Sequence, residues 1–229
     1  MEELVVLHED NHVLVVLKPQ GISIESQKDE PDLLTMAKTH LGASKASGAK
    51  SFCKSVFAID KPVGGVVLFA KSAKALNRLE AQLAEGVLER TYYAVTVATP
   101  KQHADTLTHY IKQTKINGLE LIPQTTAGAV KATLSYTLCD KADSLALLKV
   151  ACSDNLPKQA RFQLATLGLP VYADASFGKA ISKANLALWL TDIRFTHPIT
   201  ERIMNFRIFP PETDAPWNKF KIAVLFKVI

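Results

Sequence analysis

One acidic residue, Asp60, stands in the stretch VFAIDKPVGGVVLFAK between an apolar approach and a pair of glycines. The run that follows the glycines, Val66 to Ala70, predicts a short strand buried on both faces. Asp60 is therefore expected in a turn at the edge of the core. Such an aspartate either bonds its own backbone as a turn former or serves as an ionised nucleophile or base. Taken alone, the segment favours the turn former.

The motifs of several other enzyme classes are missing from the sequence. It has no GxxxxGKS or GxGxxG phosphate-binding loop, no HExxH zinc motif and no GxSxG nucleophile turn. The six histidines are scattered, and His197 in HPIT is expected to be a turn residue. Cys53, Cys139 and Cys152 are odd in number and widely spaced, which predicts free thiols and no structural metal. The sequence therefore implies neither a metal nor a cofactor.

Length and composition indicate a globular protein with a sizeable core. The chain has 229 residues, 48% of them hydrophobic, and no apolar run approaches the ~20 residues of a membrane span. We expect a soluble, cytoplasmic monomer in which residues 1–229 form one catalytic domain. We expect no appended domain for substrate binding, because the first predicted strand begins at Leu4. The net charge of +5 permits a polyanionic partner without requiring one.

The amino-terminal part predicts a hairpin, a helix and a basic loop. Strands at Leu4–Leu7 and Val13–Leu17 deliver Lys18 to the turn KPQG. Pro31 opens an amphipathic helix that Gly42 ends. The stretch GASKASGAKSFCKS then contains three lysines, Lys45, Lys50 and Lys54, and no acid. It is equally consistent with a solvated linker and with an RNA-contacting loop.

The remainder alternates short strands with two helices. One helix follows a Ser72 cap, and the other runs from Asn155 or Pro157 to Leu167. Residues 106–123 are polar and give no clear element. Further strands are predicted at VLERTYYAVTVATP, Val130–Leu138, Leu145–Cys152, LALWLTDIRF and IMNFRIF. The pattern predicts an α+β fold with a large mixed, mostly antiparallel sheet and a few packed helices.

Six segments, taken in order, resemble the RluA-type RNA pseudouridine synthases over most of the chain. LVVLKPQGI is similar to that family's KPxG turn, and FAIDKPVGGVVLFAKS to HRLDxxTSGLLLxAK around its catalytic aspartate. LERTYYAVT resembles VxKxYxAxV, and KATLSYTL resembles the AxTxY strand. The last two matches are NLPKQARFQLATLGLPVYADASFG to GRTHQIRVHLAxLGHPIxGDxxYG, and LALWLTDIRFTHPIT to LxLHAxxLxFxHPxT. Six ordered matches are far more specific than any one of them.

The resemblance implies a pseudouridine synthase-like fold, an RNA substrate in ribosomal or transfer RNA, and no cofactor. It implies a catalytic role for Asp60, an active-site position for Tyr92, and a partner for the aspartate in Arg161. The expected RNA or substrate contacts are Lys18, Ala58, Lys158, Gln159, Lys45, Lys50 and Lys54.

The departures from the motifs mark a divergent member. The family's histidine and arginine before the aspartate are Phe57 and Ala58, and its threonine and serine after it are Val63 and Gly64. Residues 155–158 replace the family's Gly-Arg-Thr-His. The alternative to an active isomerase is therefore an RNA-binding module of the same fold with little or no activity.

Overall fold

The computed structural model describes residues 3–26, 30–43, 52–114, 118–152, 156–181 and 183–222. The chain divides into two compact units. The first comprises Met1–Arg90 and Leu190–Ile208, and the second comprises Thr91–Trp189 and Phe209–Ile229.

Eleven strands and three α-helices make up the described secondary structure. In chain order they are β1 (Val5–Glu9), β2 (Val13–Lys18), α1 (Leu33–Ala43), β3 (Lys54–Ser55), β4 (Gly64–Ala70), α2 (Ala73–Ala84), β5 (Glu89–Thr96), β6 (Ala104–Thr114), β7 (Gly118–Leu121), β8 (Val130–Ala142), β9 (Leu145–Cys152), α3 (Gln159–Thr166), β10 (Leu188–Thr196) and β11 (Ile203–Arg207). The predicted α+β class, with a mostly antiparallel sheet and a few helices, is confirmed. None of these helices is long and apolar enough to cross a membrane.

In the first unit the strand order is β1-β2-β4-β10-β11, and the short β3 also pairs with β4. The registered pairs β1–β2, β2–β4 and β10–β11 are antiparallel. All seven residues of β4 are buried, as its apolar run predicts. On one face, Leu14, Val16, Val67 and Phe69 form a core cluster with the apolar side chains of α1.

The two helices of the first unit follow their sequence signals. In α1, the apolar residues Leu33, Leu34, Ala37 and Leu41 are all buried, as an amphipathic helix requires, although Gly42 lies inside the helix instead of ending it. In α2, the Ser72 hydroxyl accepts a hydrogen bond from the backbone of Ala75. Both predicted helices are thus confirmed.

In the second unit the strand order is β5-β9-β8-β6-β7, with antiparallel neighbours throughout. The polar stretch 106–123, for which no element was predicted, contains most of β6 and all of β7. That expectation was wrong because one face of β6 is solvated. The exposed Thr106 and Thr108 alternate with Leu107 and His109, so the sequence shows no apolar run. Helix α3 begins at Gln159, later than predicted, and the predicted start at Asn155 lies outside the described residues.

Candidate active site

Asp60 is half-buried and opens a tight turn directly before β4. The backbone N–H of Val63 donates to the carbonyl of Asp60 over 3.0 Å, which closes the turn. Gly65 then adopts φ +129°, and a Cβ there would lie 2.1 Å from the carbonyl oxygen of Leu190. Only glycine fits this approach of the turn to β10. The prediction that Asp60 lies in a turn at the core edge is confirmed.

The KPQG turn, residues 18–21, forms hydrogen bonds to the turn that carries Asp60. Lys18 is fully buried, and its ammonium donates to the carbonyls of Lys61 at 3.0 Å, Pro19 at 3.2 Å and Val63. The resemblance placed Lys18 among the RNA contacts. Its burial and its three carbonyl partners favour a positioning role instead, since a side chain without exposed surface cannot reach a phosphate.

Two further residues of the same turn reinforce this clamp. The backbone N–H of Gly21 donates to the carbonyl of Lys61 over 2.9 Å, and the Gln20 amide donates to the carbonyl of Pro62 over 2.8 Å. Three consecutive carbonyls, from Lys61 to Val63, are therefore bonded by one neighbouring turn. Because hydrogen bonds to buried carbonyls are costly to lose, the segment after Asp60 has a defined path.

The buried environment changes the pKa of the Lys18 ammonium. Burial lowers the pKa of the Lys18 ammonium from 10.5 to about 7, and the nearby charge of Asp60 acts in the opposite direction. The two groups are thus electrostatically coupled inside the first unit. The negative charge of Asp60 favours the ionised form of the Lys18 ammonium.

The buried ring of Phe57, three residues before Asp60, contacts the buried guanidinium of Arg90. Phe57, at the position of the family's histidine, is 2% exposed, and its carbonyl accepts a hydrogen bond from the Ser55 hydroxyl over 2.6 Å. The guanidinium of Arg90, itself 4% exposed, lies 5.4 Å from the centre of the Phe57 ring. This distance is typical of a cation–π contact, which fixes the ring and hence the approach to Asp60.

Tyr92 lies in β5 of the second unit and is 8% exposed. It is in register with Val150 of β9, which in turn pairs with Tyr136 of β8. Alternation along β8 puts Tyr136 on the same face as Ala132, against which Phe162 of α3 packs. Tyr92 therefore belongs to the sheet face that α3 covers, and its neighbour Tyr93 points to the other face.

Arg161 lies on α3, and Asp174 binds it in a buried ion pair. Its Nε donates to Oδ2 of Asp174 over 2.8 Å and its Nη2 donates to Oδ1 over 2.5 Å. The side chains are 5% and 0% exposed. The guanidinium also lies 5.5 Å from the centre of the Phe177 ring. This bidentate pairing fixes the plane of the guanidinium.

Asp174 is itself held in the charged form. Burial opposes its ionisation, but the hydrogen bonds and charge of Arg161 outweigh burial. With the backbone N–H groups of Ser176 and Phe177, they lower the pKa of the Asp174 carboxyl. Sequence reasoning missed Asp174 as a site residue. The available signal was the aspartate in VYADASFG, which matches the family segment GDxxYG.

The remaining predicted contacts differ in accessibility. Gln159 is 3% exposed and its amide donates to the carbonyl of Thr133 and to Gln163, which favours a structural role. Lys158 is exposed at the start of α3, with φ +63°. Lys54 and Ala58 are exposed in the first unit, whereas Lys45 and Lys50 lie outside the described residues.

The three predicted catalytic residues are divided between the two units. Asp60 lies in the first unit, and Tyr92 and Arg161 lie in the second. Their convergence on one substrate stays a prediction. Within the described ranges, no group of three or more His, Cys, Asp or Glu side chains is arranged to hold a metal ion.

Comparisons with known proteins identify the family and the fold. The family model described as RNA pseudouridylate synthase matches residues 12–166. The uncharacterized RNA pseudouridine synthase YhcT of Bacillus subtilis (strain 168) is 26% identical over 205 residues, which are 88% of this chain and 67% of that protein. Ribosomal large subunit pseudouridine synthase C of Vibrio vulnificus (strain CMCP6) is 24% identical over 226 residues, 93% of this chain and 66% of that protein. The chain spans about two thirds of the length of these relatives.

A solved structure shows the same fold. Human RNA Pseudouridylate Synthase Domain Containing 4 superposes with a TM-score of 0.74 at 18% identity, covering 91% of this chain and 89% of the human one. The pseudouridine synthase-like fold implied by the motifs is therefore confirmed. Since the family model matches well over half of the sequence, the chain belongs to the RNA pseudouridylate synthase family.

Proposed function

We propose that this protein is an RNA pseudouridine synthase that converts uridine to pseudouridine in ribosomal or transfer RNA. The reaction breaks the bond from ribose C1′ to N1 of uracil, turns the base, and forms a bond from C1′ to C5. C5 loses a proton and N1 gains one, so the isomerisation is redox-neutral and needs no cofactor. The observation that carries the proposal is the family match, which spans Asp60, together with the clamped turn that presents this carboxylate.

Asp60 is the nucleophile or base in this proposal, and Arg161 pairs with it. A carboxylate in an apolar cleft tends to take up a proton, whereas a guanidinium within hydrogen-bond reach favours its charged form. Arg161 has five N–H donors, of which Asp174 engages two. The buried ion pair fixes the guanidinium, so that its other donors have a defined direction.

Tyr92 contributes a ring and a hydroxyl. The ring packs against the flipped uracil, and the hydroxyl reaches a proton near C5. Its position on the α3 side of the β5 strand, with Arg161 on α3 itself, supports a shared role for the two residues.

Binding of RNA relies on exposed cations. We propose phosphate contacts for Lys54 and Lys158 and, on sequence alone, for Lys45 and Lys50. Lys18 and Gln159 act by positioning. Ala58 has only a methyl group where the family carries an arginine that fills the space of the flipped base. This favours a uridine in a loop or single strand, whose flipping costs least. We further propose a cytoplasmic monomer whose 229 residues form one catalytic domain.

Replacement of Asp60 tests the proposal. Asp60→Asn keeps the shape of the side chain but removes its charge, so it should abolish pseudouridine formation while retaining the melting temperature and most of the RNA affinity. Arg161→Met should slow the reaction, because it removes the guanidinium that pairs with Asp60 in this proposal. Asp214→Asn, the same change at an exposed aspartate, is the matched control and should retain full turnover.

The substrate is RNA from cells that lack the protein, with pseudouridines mapped before and after incubation. Wild-type turnover by Asp60→Asn would return Asp60 to the role of a turn former. If the parent modifies no RNA from such cells and no synthetic loop, the RNA-binding module replaces the isomerase. Ala58→Arg would then show whether the missing arginine accounts for the loss.

A further inference from the structure

Phe52 is the one Phe, Tyr or Trp side chain among the described residues that is exposed to solvent, at 37%. The other exposed large hydrophobic side chains are aliphatic. A single exposed apolar residue is ordinary on a protein surface, so its neighbours decide whether it has a function.

The neighbours of Phe52 place it on a rigid and cationic edge. Cys53 is 3% exposed and packs in the core cluster of α1, so Phe52 and Lys54 point away from the core on either side of it. Lys54 lies in β3, where it pairs with Ala70 of the fully buried strand β4. The strand pairing fixes the backbone at Lys54, two residues after Phe52.

The aromatic ring of Phe52 and the lysines around it suit a nucleic-acid ligand. From Gly42 to Ser55 the sequence contains three lysines and no acidic residue. An aromatic ring offers a face on which any nucleobase can stack, and an adjacent ammonium binds phosphate oxygens. Bases in a duplex already stack on each other, so an exposed ring selects unpaired nucleotides.

We infer that Phe52 is a base-stacking residue for an unpaired nucleotide of the RNA, with Lys54 as its phosphate contact. This inference rests on the proposed function and adds a residue that specifies single-stranded substrate. Phe52 precedes Asp60 by eight positions, which limits the distance between their Cα atoms to about 29 Å at most. A base stacked on Phe52 therefore lies within reach of a uridine at Asp60.

Binding of a labelled single-stranded oligouridylate tests the inference. All variants carry Asp60→Asn, so that affinity is measured without turnover. Loss of one base–aromatic stack weakens binding by about 5- to 150-fold. Phe52→Ala and Phe52→Leu should both show such a loss, whereas Phe52→Trp should bind at least as well as the parent. Affinity for an RNA duplex of equal length should be unchanged in all three.

The salt dependence of RNA binding distinguishes stacking on the Phe52 ring from phosphate binding by Lys54. Phe52→Ala should leave the slope of log affinity against log salt unchanged, whereas Lys54→Ala should reduce it by about 0.7. Ile203→Ala, at an aliphatic side chain that is 67% exposed, is the control and should change neither quantity.

Three results would overturn the inference: parental affinity in Phe52→Ala, parental affinity in Phe52→Leu, or no binding of single-stranded RNA by the parent. The proposed isomerase is assayed separately, in the protein with Asp60 intact. A protein that stacks RNA on Phe52 yet forms no pseudouridine would keep this inference and refute the activity.

Discussion

The buried pair of Arg161 and Asp174 gives the sharpest prediction for the second unit. Asp174→Asn retains a side-chain oxygen for the backbone N–H groups of Ser176 and Phe177, so the local turn keeps its acceptor. The change removes the negative charge that faces Arg161. The guanidinium, whose side chain is 5% exposed, then loses the charged carboxylate of Asp174.

The expected cost follows from this burial. Removing one partner of a buried ion pair typically destabilises a protein by about 3–5 kcal/mol, because the remaining charge is desolvated without compensation. For a chain of this length, 1 kcal/mol corresponds to about 2–4 °C in melting temperature. Asp174→Asn should therefore melt about 6–20 °C below the parent.

Glu30→Gln provides the matched control. It removes the carboxylate of the Lys61–Glu30 pair, whose atoms are 2.7 Å apart but whose side chains are 51% and 48% exposed. Exposed pairs contribute about 0–1 kcal/mol, so this variant should melt within a few degrees of the parent. The double variant Arg161→Met/Asp174→Asn removes the stranded charge as well. It should be more stable than the sum of the single effects by about 1–3 kcal/mol.

The effect should also depend on pH in a defined direction. The pKa of Asp174 is lower in the folded chain than in the unfolded one. Its charge therefore contributes stability above about pH 4, and that contribution is lost as the pH falls through the folded-state pKa. The difference in unfolding free energy between parent and Asp174→Asn should shrink in the same range.

Urea and thermal unfolding, followed by circular dichroism at pH 7 and at stepped acidic pH, measure five proteins: the parent, Asp174→Asn, Arg161→Met, the double variant and Glu30→Gln. If Asp174→Asn melts within about 2 °C of the parent, the ion pair does not hold Arg161 and the reasoning fails. The same holds if Glu30→Gln loses as much stability as Asp174→Asn.

Two further predictions concern the first unit and the whole chain. Between pH 7 and 10.5 Lys18 keeps its proton in the unfolded chain but releases it in the folded chain. The unfolding free energy of the parent should therefore rise by up to about 5 kcal/mol as the pH increases across this window. Urea titrations at stepped pH should show this rise in the parent and a flatter dependence in Lys18→Met. Thermal melts with reductant and with chelator should superimpose on the untreated curve, because the cysteines are few and dispersed; a large drop with either would contradict this.

The elements that the sequence predicted well have one strong local signal. The all-apolar run of β4 and the Ser72 cap with its leucine stripe each indicate one structure. The β6–β7 hairpin was missed because its stabilising contacts are remote. Ile111 and Leu119 pack against Ala132 and the residues around α3, and the intervening side chains are polar.

The same distinction applies to the candidate site. Residue type and motif order identify Asp60, Tyr92 and Arg161, but they do not show which groups hold them. A lysine in a turn is a typical phosphate contact. Only the structure shows that Lys18 is buried and donates to backbone carbonyls instead. Asp174 lies 13 residues from Arg161 along the chain, so their pairing depends on the return of the chain after α3.

The structure also explains how the turn around Asp60 tolerates altered motif positions. Phe57, Val63 and Gly64 replace polar residues of the family pattern, and all three are buried. The contacts that shape the turn run through its backbone: the N–H of Val63 bonds the carbonyl of Asp60, and the carbonyl of Val63 accepts from Lys18. A side-chain substitution at position 63 or 64 leaves these backbone groups in place, and Arg90 packs on the ring at position 57.

Ala58 differs from these three because it is exposed, and the change there removes a long cationic side chain without replacing it. The divergence around Asp60 thus has two parts. At the buried positions, backbone contacts and packing maintain the turn that carries Asp60, and the exposed position, Ala58, faces the RNA in the proposed function. An alteration of that kind changes which RNA is accepted before it changes the geometry of the carboxylate. An unpaired substrate, held by stacking instead of by a wedge inserted into a helix, is the substrate class that this surface favours.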